Sequence, residues 1–129
     1  MPLVRIDVNK HASAALVRTV SDAIYSAMVE VAKAPPHDKF HIVTRHEADE
    51  IIYPSEGYFR ATYSPDLIII QIVWLAGRSS ATKREFFRRV VEEIHAKQNI
   101  RKEDVIIVIS SNDRDDWSFG NGEMQYGSL

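Results

Sequence analysis

The chain has 129 residues, of which 45% are apolar and 26% charged, with a formal net charge of −2 and no cysteine. That length suits one domain with a real core. The charge gives no electrostatic reason to expect nucleic acid or an anionic membrane as partner, and disulfide or thiolate chemistry is excluded. The longest apolar run, Leu67 to Ala76 broken by Gln71, is too short to span a bilayer. The N-terminal residues lack a signal-peptide pattern, so a cytoplasmic location is expected.

Leu3, Val4, Ile6 and Val8 predict a first strand. Ahead of it stands Pro2. With Met1 removed, Pro2 is a free secondary amine, and a buried amine can titrate near neutrality and serve as general acid or base. With Met1 intact its nitrogen is a tertiary amide and no base. The competing reading is structural: proline is tolerated at the first residue of a strand.

Ser13 is a candidate cap for a helix whose stripe runs Leu16, Val17, Val20, Ala23, Ile24, Ala27, Met28 and Val31. Pro35-Pro36 stops it. A second strand follows at Phe40 to Thr44. From His46 to Pro65 no period is sustained, and the segment is expected to be an excursion with one short strand at Glu50 to Tyr53. Leu67 to Trp74 is apolar on both faces, as in a central strand. Gly77 opens a turn, Ser79 or Ser80 caps a second helix with a stripe of Phe86, Phe87, Val90, Val91 and Ile94, and Val105 to Ile109 forms a fourth strand. Trp117 to Gly122 reads as the start of a C-terminal hairpin.

The order is therefore strand-helix-strand, excursion, strand-helix-strand. Asp38 and Asp104 precede the closing strands, 66 residues apart. The expected fold is α+β: one domain of duplicated β-α-β units, about residues 2–45 and 67–110, in a four-stranded mixed sheet with both helices on one face. Strands this apolar cannot leave the other face in water, so oligomerisation through it is expected.

Four segments carry a family resemblance: Met1-Pro2-Leu3, Asp38-Lys39-Phe40-His41-Ile42-Val43, Gly77-Arg78-Ser79 and Asp116-Trp117-Ser118-Phe119-Gly120-Asn121-Gly122. In this order and spacing the chain resembles the tautomerase superfamily, which includes 4-oxalocrotonate tautomerase, macrophage migration inhibitory factor and malonate semialdehyde decarboxylase. It is most similar to the fused branch that contains the decarboxylase. The resemblance implies a homotrimer without cofactor, with Pro2 moving a proton at the subunit interface. It further implies that Arg78 holds a substrate carboxylate, that Asp38 lies near the proline, and that Trp117 and Phe119 line the pocket. The decarboxylases carry Arg-x-Arg where this chain has Ala76-Gly77-Arg78, so a substrate that needs two arginines is disfavoured.

Each residue also has a plain structural reading. Arg78 precedes a helix start, where free N–H groups already favour an anion, and is otherwise a loop arginine. Asp38 is equally a turn former after Pro-Pro. Trp117 and Phe119 also suit a hairpin core. Arg60, in the excursion, is a candidate to cross into a neighbour's pocket and replace the missing arginine. His37, His41, His46 and His95 lack metal-ligand spacing, so no metal is expected. The leading expectation is a tautomerase acting on small 2-oxo acids in enol form, such as phenylenolpyruvate. The alternatives are decarboxylation or hydration of malonate semialdehyde or a related acid, and a non-catalytic trimeric binding module.

Overall fold

The computed structural model describes residues 2–127. Its elements are β1 (Leu3–Asn9), α1 (Ala14–Glu30), β2 (His41–His46), β3 (Ile68–Leu75), α2 (Ser80–Gln98) and β4 (Val105–Asn112). The sheet runs β2-β1-β3-β4. β1 is parallel to β2, β3 is parallel to β4, and the central β1–β3 pair is antiparallel. This is the expected four-stranded mixed sheet.

The helices form where the apolar spacing and caps place them. The Ser13 hydroxyl accepts the N–H of Leu16 at 3.0 Å, and the Ser79 hydroxyl accepts that of Thr82 at 3.1 Å. Each satisfies one of the orphan donors of a first helical turn. Val20, Ile24 and Met28 of α1 and Phe86, Val90 and Ile94 of α2 are buried against Val4, Ile6, Val8, Ile70, Ile72 and Trp74 of the two central strands. The core is thus one layer between the sheet and both helices.

The two halves keep one spacing throughout. Ser13 and Ser79, Val20 and Phe86, Ile24 and Val90, Met28 and Ile94, and Asp38 and Asp104 are all 66 positions apart, with caps matching caps and buried residues matching buried ones.

Side chains alternate across the sheet. The face away from the helices carries Leu3, Ile42, Ile69, Val73 and Val108, and Ile42 and Val108 are exposed.

Two local expectations fail. Glu50 to Tyr53 forms no strand, and the excursion instead holds a single bridge between Tyr58 and Ala61. Gly57, at φ +82°, permits it, since a Cβ there would lie 2.1 Å from the Ala61 oxygen. After β4, the described residues form a 3-10 turn at Arg114–Asp116 and successive turns rather than paired strands. Asp113 and Asp116 cap that turn reciprocally, which satisfies locally the backbone groups a hairpin would have paired.

Candidate active site

The antiparallel β1–β3 pair decides what meets at one end of the sheet. Leu3 pairs with Val73, which brings the start of β1 beside the end of β3. The N–H of Val4 donates to the Phe40 carbonyl at 2.9 Å, which adds the loop before β2. Pro2, the Asp38 loop and the turn carrying Arg78 therefore share one end of the sheet. Pro2 is buried there. Met1, on which the state of the Pro2 nitrogen depends, lies outside the described residues.

Arg78 stands just ahead of the α2 cap, after Gly77 at φ +121°. Its Nε donates to the Ala32 carbonyl at 2.9 Å and its Nη1 to the Leu75 carbonyl at 3.2 Å. The guanidinium carbon lies 4.5 Å from the centre of the buried Trp74 ring. Burial pushes the Arg78 pKa below its ordinary value, and the charge of Asp38 opposes that shift.

Asp38 is 8% exposed. Its loop is held by a contact that the sequence did not announce: the Tyr25 hydroxyl of α1 accepts the N–H of His37 at 3.0 Å. His37 has φ +71°, a left-handed conformation that costs energy for a residue with a Cβ. The Asp38 N–H closes the turn onto the Pro35 carbonyl at 3.3 Å.

Trp117 and Phe119 build a wall. Their rings are stacked, 5.4 Å apart and 8° from parallel, and Phe119 also stacks on Phe40 at 6.1 Å and meets Tyr126 edge-on at 5.4 Å. The Trp117 indole N–H donates to Asn112 Oδ1 at 2.8 Å, and the Phe119 N–H to Gln125 Oε1 at 2.9 Å. This wall borders a hollow of about 460 Å³ that also touches Leu3, Val73 and Asn112. Phe119 and Phe40 separate it from a shallower depression beside Asp38. Phe40, Asn112 and Tyr126 were missed from sequence. Only Phe40 carried a signal, as a large apolar residue at the start of the expected second strand, and the structure leaves it 49% exposed.

Arg60 is not brought to this site within the chain. It is exposed, at φ +66°, in the excursion. That segment is tied to the other end of the sheet by Thr62 donating to Glu103 at 2.7 Å and Ser64 to Asp104 at 2.8 and 2.6 Å. Among the described residues no group of three or more His, Asp or Glu side chains is placed to hold a metal ion.

The pattern of the Tautomerase_2 family, described as "Tautomerase enzyme", matches residues 38–120. The Bacillus subtilis (strain 168) protein "Probable tautomerase YusQ" is 31% identical over 97% of this chain and 98% of its own length. "Probable tautomerase YrdN" of the same organism is 29% identical over 98% and 96%. A crystal structure of FG41 malonate semialdehyde decarboxylase inhibited by 3-bromopropiolate superposes with a TM-score of 0.87, at 37% identity, covering 96% of this chain and 93% of that one. A fused 4-OT, solved as a symmetric trimer, shares the fold at TM-score 0.77 and 19% identity, covering 94% of each chain.

Proposed function

This chain belongs to the family of tautomerase enzymes, and we propose that it moves a proton between oxygen and carbon of a small 2-oxo acid, using Pro2 as the proton carrier. The observation that carries the reading is the convergence of a buried Pro2, a half-buried Arg78 and a buried Asp38 at one end of the sheet. In a dry setting an amine sheds its proton more readily, and the Arg78 cation favours the neutral form while the Asp38 anion opposes it. Pro2, freed of Met1, takes the enol hydroxyl proton and returns one to carbon. Arg78 grips the carboxylate. It has five N–H donors and spends two on backbone carbonyls, so three remain for substrate. The aromatic wall receives the substrate's apolar end.

A homotrimer, with the pocket completed at the subunit boundary, is supported by the apolar residues on the open sheet face. Decarboxylation of malonate semialdehyde is the second reading, favoured by the 37% identity to the FG41 decarboxylase and opposed by Ala76.

The test is turnover of phenylenolpyruvate and malonate semialdehyde by parent and Pro2→Ala proteins, with intact mass confirming loss of Met1. Ketonisation of the enol that falls at least a hundredfold in Pro2→Ala, in the range of a lost general acid–base, supports the reading. An unchanged rate overturns it, and carbon dioxide release as the faster reaction selects the decarboxylase.

A further inference from the structure

The 66-residue spacing that relates the two halves also relates two cavities. At the end of the sheet remote from Pro2 lies a hollow of about 210 Å³ with His46, Ile51 and Tyr53 in its wall. Their counterparts 66 positions on are Asn112, Trp117 and Phe119, which line the hollow of about 460 Å³ at the Pro2 end of the sheet. The remote hollow is therefore its mate, with different chemistry. No terminal amine can act in it, because the counterpart of Pro2 is Ile68, inside β3. Ala12 stands at the position of Arg78. In place of Asn112 is His46, whose Nε2 lies 2.6 Å from Oδ1 of Asp7, and Asp7 occupies the position matching Val73.

We propose that this hollow is a second small-molecule site, taking a neutral monocyclic aromatic that carries an acidic hydroxyl, such as a phenol, with His46 accepting the hydroxyl hydrogen. Size, polarity and charge each point to that class. An apolar cavity of about 150 Å³ holds benzene, so this one holds a substituted ring. Ile51, Pro65, Leu67 and the Tyr53 ring supply apolar wall, and Tyr53 is steadied edge-on by Tyr63 at 6.1 Å. An ionised carboxylate only accepts hydrogen bonds, so in the neutral imidazole Asp7 favours the proton on Nε2 and leaves Nδ1 of His46 as an acceptor. Glu47 and Asp66 stand in the wall and Asp7 behind it, against one ammonium, Lys10, which is already 2.8 Å from Glu47. That excess of negative charge disfavours a carboxylate ligand. The two ends of the sheet would thus divide ligands by charge, carboxylates at Arg78 and neutral hydroxyls at His46.

The test titrates phenol, benzene and benzoate into the full-length protein and into Pro2→Ala, following histidine ring resonances by NMR, with His46 assigned by its loss in His46→Leu. Phenol should shift the His46 ring saturably and bind roughly three- to tenfold tighter than benzene, the worth of one net hydrogen bond, and benzoate should not compete. His46→Leu should reduce phenol to the affinity of benzene. Ala48→Trp, at an exposed residue of the wall, should exclude both while leaving the melting temperature unchanged. Pro2→Ala should bind phenol as the parent does, whatever becomes of its turnover. The proposal is overturned if phenol fails to saturate or benzoate binds as tightly. It falls equally if phenol binding is lost in Pro2→Ala or survives Ala48→Trp undiminished.

Discussion

The guanidinium of Arg78 lies 4.5 Å above the indole of Trp74 and is clamped by the carbonyls of Ala32 and Leu75. The ring, the end of α1 and the end of β3 fix one side chain from three directions. A cation over an aromatic face is stabilised by about 0.5–2 kcal/mol, and more of that survives away from water.

Arg78→Lys should therefore be a severe change. Lysine keeps the charge but cannot form a fork or reach both carbonyls from one plane. Loss of charge-assisted hydrogen bonds of about 1.5–3 kcal/mol predicts KM for a carboxylate substrate raised roughly ten- to hundredfold, with a smaller effect on kcat. Steady-state kinetics on the enol substrate check it, and an unchanged KM would remove Arg78 from the binding role.

Tyr25→Phe deletes only the oxygen that receives the His37 N–H. The Asp38 loop should then relax from its left-handed turn, and kcat/KM should fall severalfold. If Asp38 acts on the Pro2 amine as proposed, its anion favours the protonated form, and the acidic limb of the pH–rate profile should move to lower pH when the loop relaxes. Asp38→Asn should produce the same displacement, and adding Tyr25→Phe to it should change little further, since the two act through one contact. A fully additive pair would mean that Tyr25 serves stability alone.

Phe119→Ala removes the ring shared by Trp117, Phe40 and Tyr126. Aromatic pairs contribute about 0.5–1.5 kcal/mol each beyond area burial. Discrimination between an aryl-bearing enol and enolpyruvate should collapse by at least tenfold in kcat/KM, while Pro2-dependent turnover of the smaller substrate persists. Equal losses on both substrates would assign the wall to folding only.

His41 provides a stability signature. Burial, with help from Lys39 and against Asp22, lowers its pKa from 6.5 to about 4, and the Ser21 hydroxyl bonds its Nδ1 at 2.8 Å. In the unfolded chain the imidazole takes up a proton near pH 6.5, whereas in the fold it does so only near 4. Between those values the unfolded state binds more protons, so stability is complete above 6.5 and declines as the pH falls towards 4. Urea unfolding at pH 7.5 and 5 should show a drop for the parent that is smaller in His41→Gln. Equal drops would show that other groups govern the acid limb.

Periodicity and punctuation in the sequence determined the elements themselves: the Ser13 and Ser79 caps, the helical stripes, the stop at Pro35-Pro36 and the central strand at Ile68–Leu75. These depend on residues a few positions apart, and local rules describe such contacts well. The same rules mistook the segment after β4 for a hairpin, because Trp117 and Phe119 are held by Asn112 and by stacking rather than by a paired strand.

Tertiary structure alone decided which ends meet. Asp38 and Asp104 hold matching positions in matching turns. Asp104, fully buried, accepts two hydrogen bonds from Ser64 and anchors the excursion, whereas Asp38 lies within the field of Arg78. The antiparallel pairing of Leu3 with Val73, a contact 70 residues long in sequence, brings Arg78 to the end of the sheet that holds Asp38, and the same pairing leaves Ala12 at the end that holds Asp104. Long-range strand register is set by how the whole apolar surface packs, and no short stretch of chain encodes it.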